Sequence, residues 1–192
     1  MSVEVEVKAR LCDPARVRQL LAGITDGENA VYADHYLDFP DRRLTTAGYE
    51  IRLRTVTDDA GAVRSLLTFK EPAVEAVSGS KPEHETFVAD PVVVTTLLGA
   101  LGLVEMIGFE KRCTNYRFTA HGRDLVATVV EVPKLDRETF VELETLTTDD
   151  DVNAALVVVR RVLGELGVTD DELTTDTYTD EVAVRRQVSE PR

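Results

Sequence analysis

Residues 1–10 read MSVEVEVKAR, and the alternation inside them decides what kind of wall this chain builds. Between Val3 and Lys8 apolar and charged residues take turns without a break. Read as a strand, the stretch places Val3, Val5 and Val7 on one face and Glu4, Glu6 and Lys8 on the other. Alone, such a strand describes a sheet with one face in the core and one in water. The decisive point is whether the pattern recurs, and with which sign of charge.

It recurs with both signs. Arg52 and Arg54 alternate with Ile51 and Leu53 in "IRLR", and Glu142 and Glu144 alternate with Val141 and Leu143 in "VELE". Glu83 and Glu85 sit two apart in "EHE". Single cations stand at Lys70 in "TFKEP" and at Lys111 in "EKR", with Arg112 adjacent. Acidic and basic pairs on separate strands need each other or a ligand. Closing the sheet brings both signs into one lumen, and small barrels enclose a single ligand there. Charges inside must then be paired or coordinated, since bare burial is very costly. The six glutamates Glu4, Glu6, Glu83, Glu85, Glu142 and Glu144 face the cations Lys8, Arg52, Arg54, Lys70, Lys111 and the further candidate Arg112. That set is close to neutral, and stays so when divalent cations and a triphosphate are added, because their charges cancel. Carboxylates are the oxygen donors that Mg²⁺ or Mn²⁺ requires, and Arg and Lys are what phosphate oxygens require.

The rest of the chain fits this reading. At 192 residues, 43% apolar and 30% charged, it has room for one substantial core, so a single domain over 1–192 is expected. "CDPARVRQLLAG" (12–23) predicts a helix with Asp13 as cap and Gly23 as stop, and "DPVVVTTLLGALG" (90–102) repeats the Asp-Pro opening. "TDDDVNAALVVVRRVLGELG" (148–167) is an amphipathic helix with an acidic start. Strands are expected over 29–39, 106–120, 124–132 and 138–146, and 48–56 with 62–72 forms a hairpin around "TDDAG". A turn-rich stretch, 74–82, leads into 83–90. Residues 171–188 predict a short helix, with a frayed tail from about 180 to 192. The fold class is therefore α+β: about eight strands, many in direct succession, forming a mainly antiparallel sheet or closed barrel with helices outside.

A net charge of −13 argues against nucleic acid or an anionic membrane as partner. No apolar run is long enough to span a bilayer, and charge at Glu4 breaks any signal region, so a cytoplasmic protein is expected. Cys12 and Cys113 are too few for a disulfide framework or thiolate metal site. His35, His84 and His121 are scattered, and His84 falls out of phase with its flanking glutamates, so it faces outward. No nucleophile elbow, Walker loop or dinucleotide fingerprint is present.

The ordered set of motifs resembles the CYTH superfamily of class IV adenylate cyclases, thiamine triphosphatases and inorganic triphosphatases. "EVEVK" is similar to its ExExK signature, and "DHYLDFPDRRLTTAGYEIRLR" (34–54) to its second block. "LTFKEP", "KPEHE", "FVELE" and "DTYTDEV" follow in the family's order. The resemblance implies an eight-stranded antiparallel triphosphate tunnel, most like the class IV cyclase branch, and a homodimer as the assembly. By matched position Glu4, Glu6, Glu142 and Glu144 would hold Mg²⁺ or Mn²⁺. Lys8, Arg52, Arg54, Lys70 and Lys111 would hold phosphates, and Glu83 and Glu85 would orient these cations or assist the metal. Lys8, Arg52, Arg54 and Lys70 are the cations carried over as catalytic. Two positions depart: Cys113 stands where an Arg is usual, with Arg112 the neighbouring substitute, and Val130 stands where an Asp is frequent. Lys134 and Asp136 replace customary glycines, and Glu131 points to the other face. Three activities stay open: conversion of ATP to cyclic AMP and pyrophosphate, hydrolysis of inorganic or thiamine triphosphate, and silent binding of a triphosphate or polyphosphate.

Overall fold

Apolar alternate residues on the charged strands need a cover, and three helices supply it. In the computed structural model, residues 3–73, 81–135 and 138–189 are described. The strands are β1 (Val3–Arg10), β2 (Gly27–Asp38), β3 (Glu50–Asp58), β4 (Val63–Lys70), β5 (Lys81–Val88), β6 (Val104–Ala120), β7 (Arg123–Glu131), β8 (Thr139–Thr147) and β9 (Leu173–Thr174). The helices are α1 (Pro14–Ala22), the single turn α2 (Arg43–Thr46), α3 (Pro91–Ala100), α4 (Val152–Glu165) and α5 (Tyr178–Ser189).

Eight strands form a closed antiparallel barrel in the order β5-β4-β3-β2-β6-β7-β8-β1, with β1 meeting β5 again to shut the ring. Among the described residues the closing pairs are Val3 with Pro82 and Glu4 with Lys81. The small strand β9 pairs with β1 at Lys8 and Ala9. The β3–β4 hairpin turns where expected: the Asp58 carboxylate accepts from the Ala60 and Ala62 amides, and Gly61 takes a positive φ of 79° that favours glycine. The Asp-Pro openings also cap their helices, with Asp13 accepting from Arg16 N and Asp90 from Val92 N and Val93 N.

The largest apolar core lies outside the barrel. Val3, Val5, Val7 and Ala9 turn outward and pack under Val17 and Leu21 of α1 and Ala155, Val159, Val162 and Leu163 of α4. Burying the last four contributes roughly 5–10 kcal/mol of gross transfer energy. On the far side Val94 and Leu98 of α3 cover Leu37 and Leu53. Since the greasy faces look outward, the charged faces of the same strands look into the bore.

The C-terminal segment departs from expectation. A 3-10 turn at Asp170–Glu172 with a Thr169/Glu172 capping box leads into β9, and α5 then runs to Ser189. Tyr178 and Val182 of α5 are buried against Phe109, Val130 and Phe140, so the helix plugs one end of the barrel instead of fraying from about 180. The turn-rich stretch predicted at 74–82 lies mostly outside the described residues, and its last two residues open β5. Asp136 is likewise outside them. Among the described residues, no helix is long and apolar enough to cross a membrane.

Candidate functional site in the barrel bore

Strand register sets the bore. On β1 and β8, Glu6 faces Glu144 and Lys8 faces Glu142 across neighbouring backbones. On β2 and β3, Asp34 faces Arg54 and Tyr36 faces Arg52. Lys70 of β4 lies opposite Glu83 of β5, and Thr68 opposite Glu85. Like charges at Glu6 and Glu144 repel, so that pairing persists only with protons or a cation between them.

The acidic side gathers three carboxylates. Glu4, Glu6 and Glu144 each offer an oxygen, and these oxygens lie within 4.8 Å of one another. Burial, then the charges of Glu142 and Glu4, push the Glu6 carboxyl well above its ordinary range. Burial, then Glu4 and Glu142, lift Glu144 to about 7. Glu4 goes the other way: burial opposes ionisation, but Lys70 overcomes it and holds the carboxyl down at about 2. Lys70 Nζ sits 3.0 Å from Glu4 Oε1 and 2.6 Å from Glu83 Oε2. Glu83 is nevertheless raised to about 7, by burial and then by Glu4, because one ammonium serves two carboxyls.

The cationic side divides into tied and untied groups. Arg54 is tied: Nε and Nη2 donate to the two Asp34 oxygens at 2.6 and 2.8 Å, and the guanidinium lies over the Tyr32 ring. That fork holds the fully buried Asp34 at about 2, against the effect of burial. Lys111, 4% exposed, lies 3.6 Å from Glu142 and 4.0 Å from Asp34, a loose pairing on both sides. Lys8 donates to the Asp176 carbonyl and stands 4.3 Å from the centre of the Tyr178 ring, which Lys111 approaches at 4.8 Å. Arg52 is the exception. Only 9% exposed, it has one hydrogen bond, from Nη2 to the Thr68 hydroxyl at 3.3 Å, and its Nε has no partner. Among the described residues, no carboxylate reaches ion-pair distance of Arg52. A buried guanidinium in that state is an anion site in waiting.

Most residues singled out by their spacing meet here. Glu142 stands beside the three-carboxylate group without joining it, 3.6 Å from Lys111. Glu85 sits at the rim, exposed, accepting from the Thr68 hydroxyl at 3.0 Å. Arg112 does not reach the bore: it is exposed on the outer face of β6, across from Val31 and Glu131, so the substitution for an interior Arg is not made. The phase of the strand explains this, since Lys111 and Cys113 already occupy the inward positions. Cys113 is buried beside Val130, and burial pushes its thiol up to about 12, which leaves it an inert apolar filler. Glu131 pairs outside with Arg18 at 2.9 Å, and His84 faces out to Glu71.

Two bore residues carry no period-two signal of their own. Asp34 is flanked at that spacing by Tyr32 and Tyr36, so its face reads as apolar. Tyr178 arrives from α5, outside the barrel strands. Burial and then Glu142 raise its phenol well above the ordinary value, so it stays protonated.

The sequence profile of the CYTH domain matches residues 2–178. Among solved structures, a Pyrococcus horikoshii protein superposes with a TM-score of 0.80 at 24% identity, over 95% of this chain and 99% of its own. A Vibrio parahaemolyticus protein, described as a candidate adenylate cyclase, gives 0.77 at 18% identity over 94% and 97%. A Hippeastrum protein, described as a candidate adenylyl cyclase with a dominant triphosphatase activity, gives 0.65 at 18% over 100% and 98%. No curated protein matches the chain in sequence.

Proposed function

The chain belongs to the CYTH domain family, and on that premise we propose that it is a divalent-metal-dependent enzyme acting on a triphosphate held in the barrel bore. The observation that carries this reading is Arg52: a buried guanidinium that no carboxylate among the described residues meets at ion-pair distance, in a bore where the other cations are shared or tied. A polyanion is the ligand such a group lacks.

Arg52, Lys111 and Lys8 bind the phosphate chain. Their present partners are a hydroxyl, two distant carboxylates, and a carbonyl with a ring, all weaker than a phosphate oxygen at hydrogen-bond distance. Asp34 fixes Arg54 in one orientation, so this fork presents a preformed positive wall. The donor set of Glu4, Glu6 and Glu144 fits Mg²⁺ or Mn²⁺: all ligands are oxygen, and their mutual repulsion is what a dication relieves. When bound, such an ion neutralises charge developing on the phosphate oxygens. Glu83 shares the Lys70 ammonium with Glu4 and so orients that cation in the bore.

The first reading of the reaction is cyclase-like, with the 3′-hydroxyl of ATP attacking the α-phosphorus and pyrophosphate leaving. Hydrolysis of a terminal phosphate is the second, favoured by the fold shared with the Hippeastrum protein. Incubation with Mg²⁺ or Mn²⁺ and ATP, then with tripolyphosphate, separates them. Cyclic AMP with pyrophosphate supports the first, and orthophosphate from tripolyphosphate the second. Absence of both products, with or without retained binding, removes the enzymatic reading.

A further inference from the structure

Helix α3 is apolar on more than one face. Its ten residues, PVVVTTLLGA, carry no charge, in a chain where 30% of residues are charged. Val94 and Leu98 face the barrel, over Leu37 and Leu53. A second face has no cover within the chain. Val93, Leu97 and Leu101 follow at a helical spacing of four and are 62%, 57% and 63% exposed. Val92 is 71% exposed, and Val104, just past the helix, is 43% exposed. A helix that is hydrophobic all round belongs inside a protein, yet no residue of α3 is buried. The two ends of this helix also differ in charge. Asp90 stands exposed at its start. At its finish the Phe39 ring packs beside Gly102, and the Arg43 guanidinium lies 3.4 Å from the centre of that ring, with Arg42 next to it.

We propose that the bare face of α3 is the contact between two copies of this chain, with the two helices antiparallel across a two-fold axis at Leu97. Area supports a second copy. The five exposures amount to about three bare Val or Leu side chains, on the order of 400 Å². Two copies then bury about 800 Å² of apolar surface, the centre of an interface whose polar rim brings the total to the roughly 1,200 Å² that specific contacts need. Charge sets the orientation. Antiparallel helices bring Arg42 and Arg43 to the partner subunit's Asp90, whereas parallel ones stack like charges at each end. A chain at −13 repels its own copy over most of its surface, and a charge-free face is where two copies approach at least cost. The contact is separate from the bore and holds whichever reaction the bore performs.

Sedimentation velocity of the full chain, from micromolar to sub-millimolar concentration, tests this. Wild type is expected to sediment as a dimer. Leu97→Glu sets two carboxylates against each other at the axis and raises the dissociation constant roughly a hundredfold or more. Leu97→Lys does the same with two ammonium groups. An equimolar mixture of the two variants restores the dimer, which a general loss of folding could not do. Circular dichroism of each variant alone checks that the fold is kept. A monomeric wild type overturns the proposal, and so does a dimer that Leu97→Glu leaves intact. Folded variants that fail to pair when mixed overturn the two-fold at Leu97. Flotation of monomeric wild type with phosphatidylcholine vesicles also overturns it, and gives the face to a bilayer instead.

Discussion

Replacing Glu144 by Gln is predicted to make the metal-free protein more stable at pH 8 and no more stable at pH 5. Glu144 is raised to about 7 from an ordinary value of 4.5, first by burial and then by Glu4 and Glu142. A group whose folded value lies above its unfolded one binds its proton more tightly in the native state. Its contribution is therefore fully present below pH 4.5 and is lost as pH rises through 7. The gap of 2.5 (7 minus 4.5) corresponds to about 3 kcal/mol by pH 8. Gln has the same shape and no charge to lose. For a domain of this size about 3 kcal/mol is about 6–12 °C in melting temperature. The assay is thermal unfolding in chelator from pH 5 to pH 8, for wild type and Glu144→Gln side by side. Saturating Mn²⁺ should restore wild type at pH 8 by about 3 kcal/mol at a hundred times its dissociation constant, and leave the variant unmoved. Parallel pH profiles for the two proteins, or a variant less stable than wild type at pH 8, would refute the reasoning that these three carboxylates are held together against repulsion.

Other perturbations follow from the same geometry. Arg52→Ala should cost tripolyphosphate affinity roughly tenfold to a hundredfold, the worth of one charged hydrogen bond, while the melting temperature of the ligand-free protein changes less than the affinity does. A lowered melting temperature with unchanged affinity would remove Arg52 from the site. Asp34→Asn should destabilise by about 3–5 kcal/mol in urea titration, since it strands the buried Arg54 guanidinium. Tyr178→Ala should cost about 3–5 kcal/mol in the same titration by emptying the contact with Phe140.

The barrel was legible because its strands carry two messages at once. Val-x-Val against Glu-x-Glu specifies two faces, and opposite signs on different strands require a shared interior. The period of "EKRC" turns Lys111 and Cys113 inward and Arg112 outward, so the expectation that Arg112 would stand in for the missing interior arginine fails on strand phase alone. Asp34 stayed hidden because tyrosines at i−2 and i+2 disguise its face as core, and only the strand pairing with Arg54 exposes its role. Tyr178 stayed hidden for a different reason. Its helix is largely polar and its importance comes from where it docks, which depends on contacts more than 160 residues apart in sequence, such as that with Lys8. Residues 171–188 thus read as a weak helix with a loose end, whereas tertiary packing of Tyr178 and Val182 fixes α5 in place.

The barrel's fastening between β1 and β5 has its own consequence. Beside the pairing of Val3 with Pro82 and Glu4 with Lys81, the Lys70 ammonium clasps the seam, gripping Glu4 on one strand and Glu83 on the other. Acid or concentrated salt should loosen that clasp first, unzipping the cylinder into a curved ribbon with two bare edges. Amides of β5 would then exchange with deuterium ahead of those in β7 and β8, and the unzipped species would be the one that aggregates.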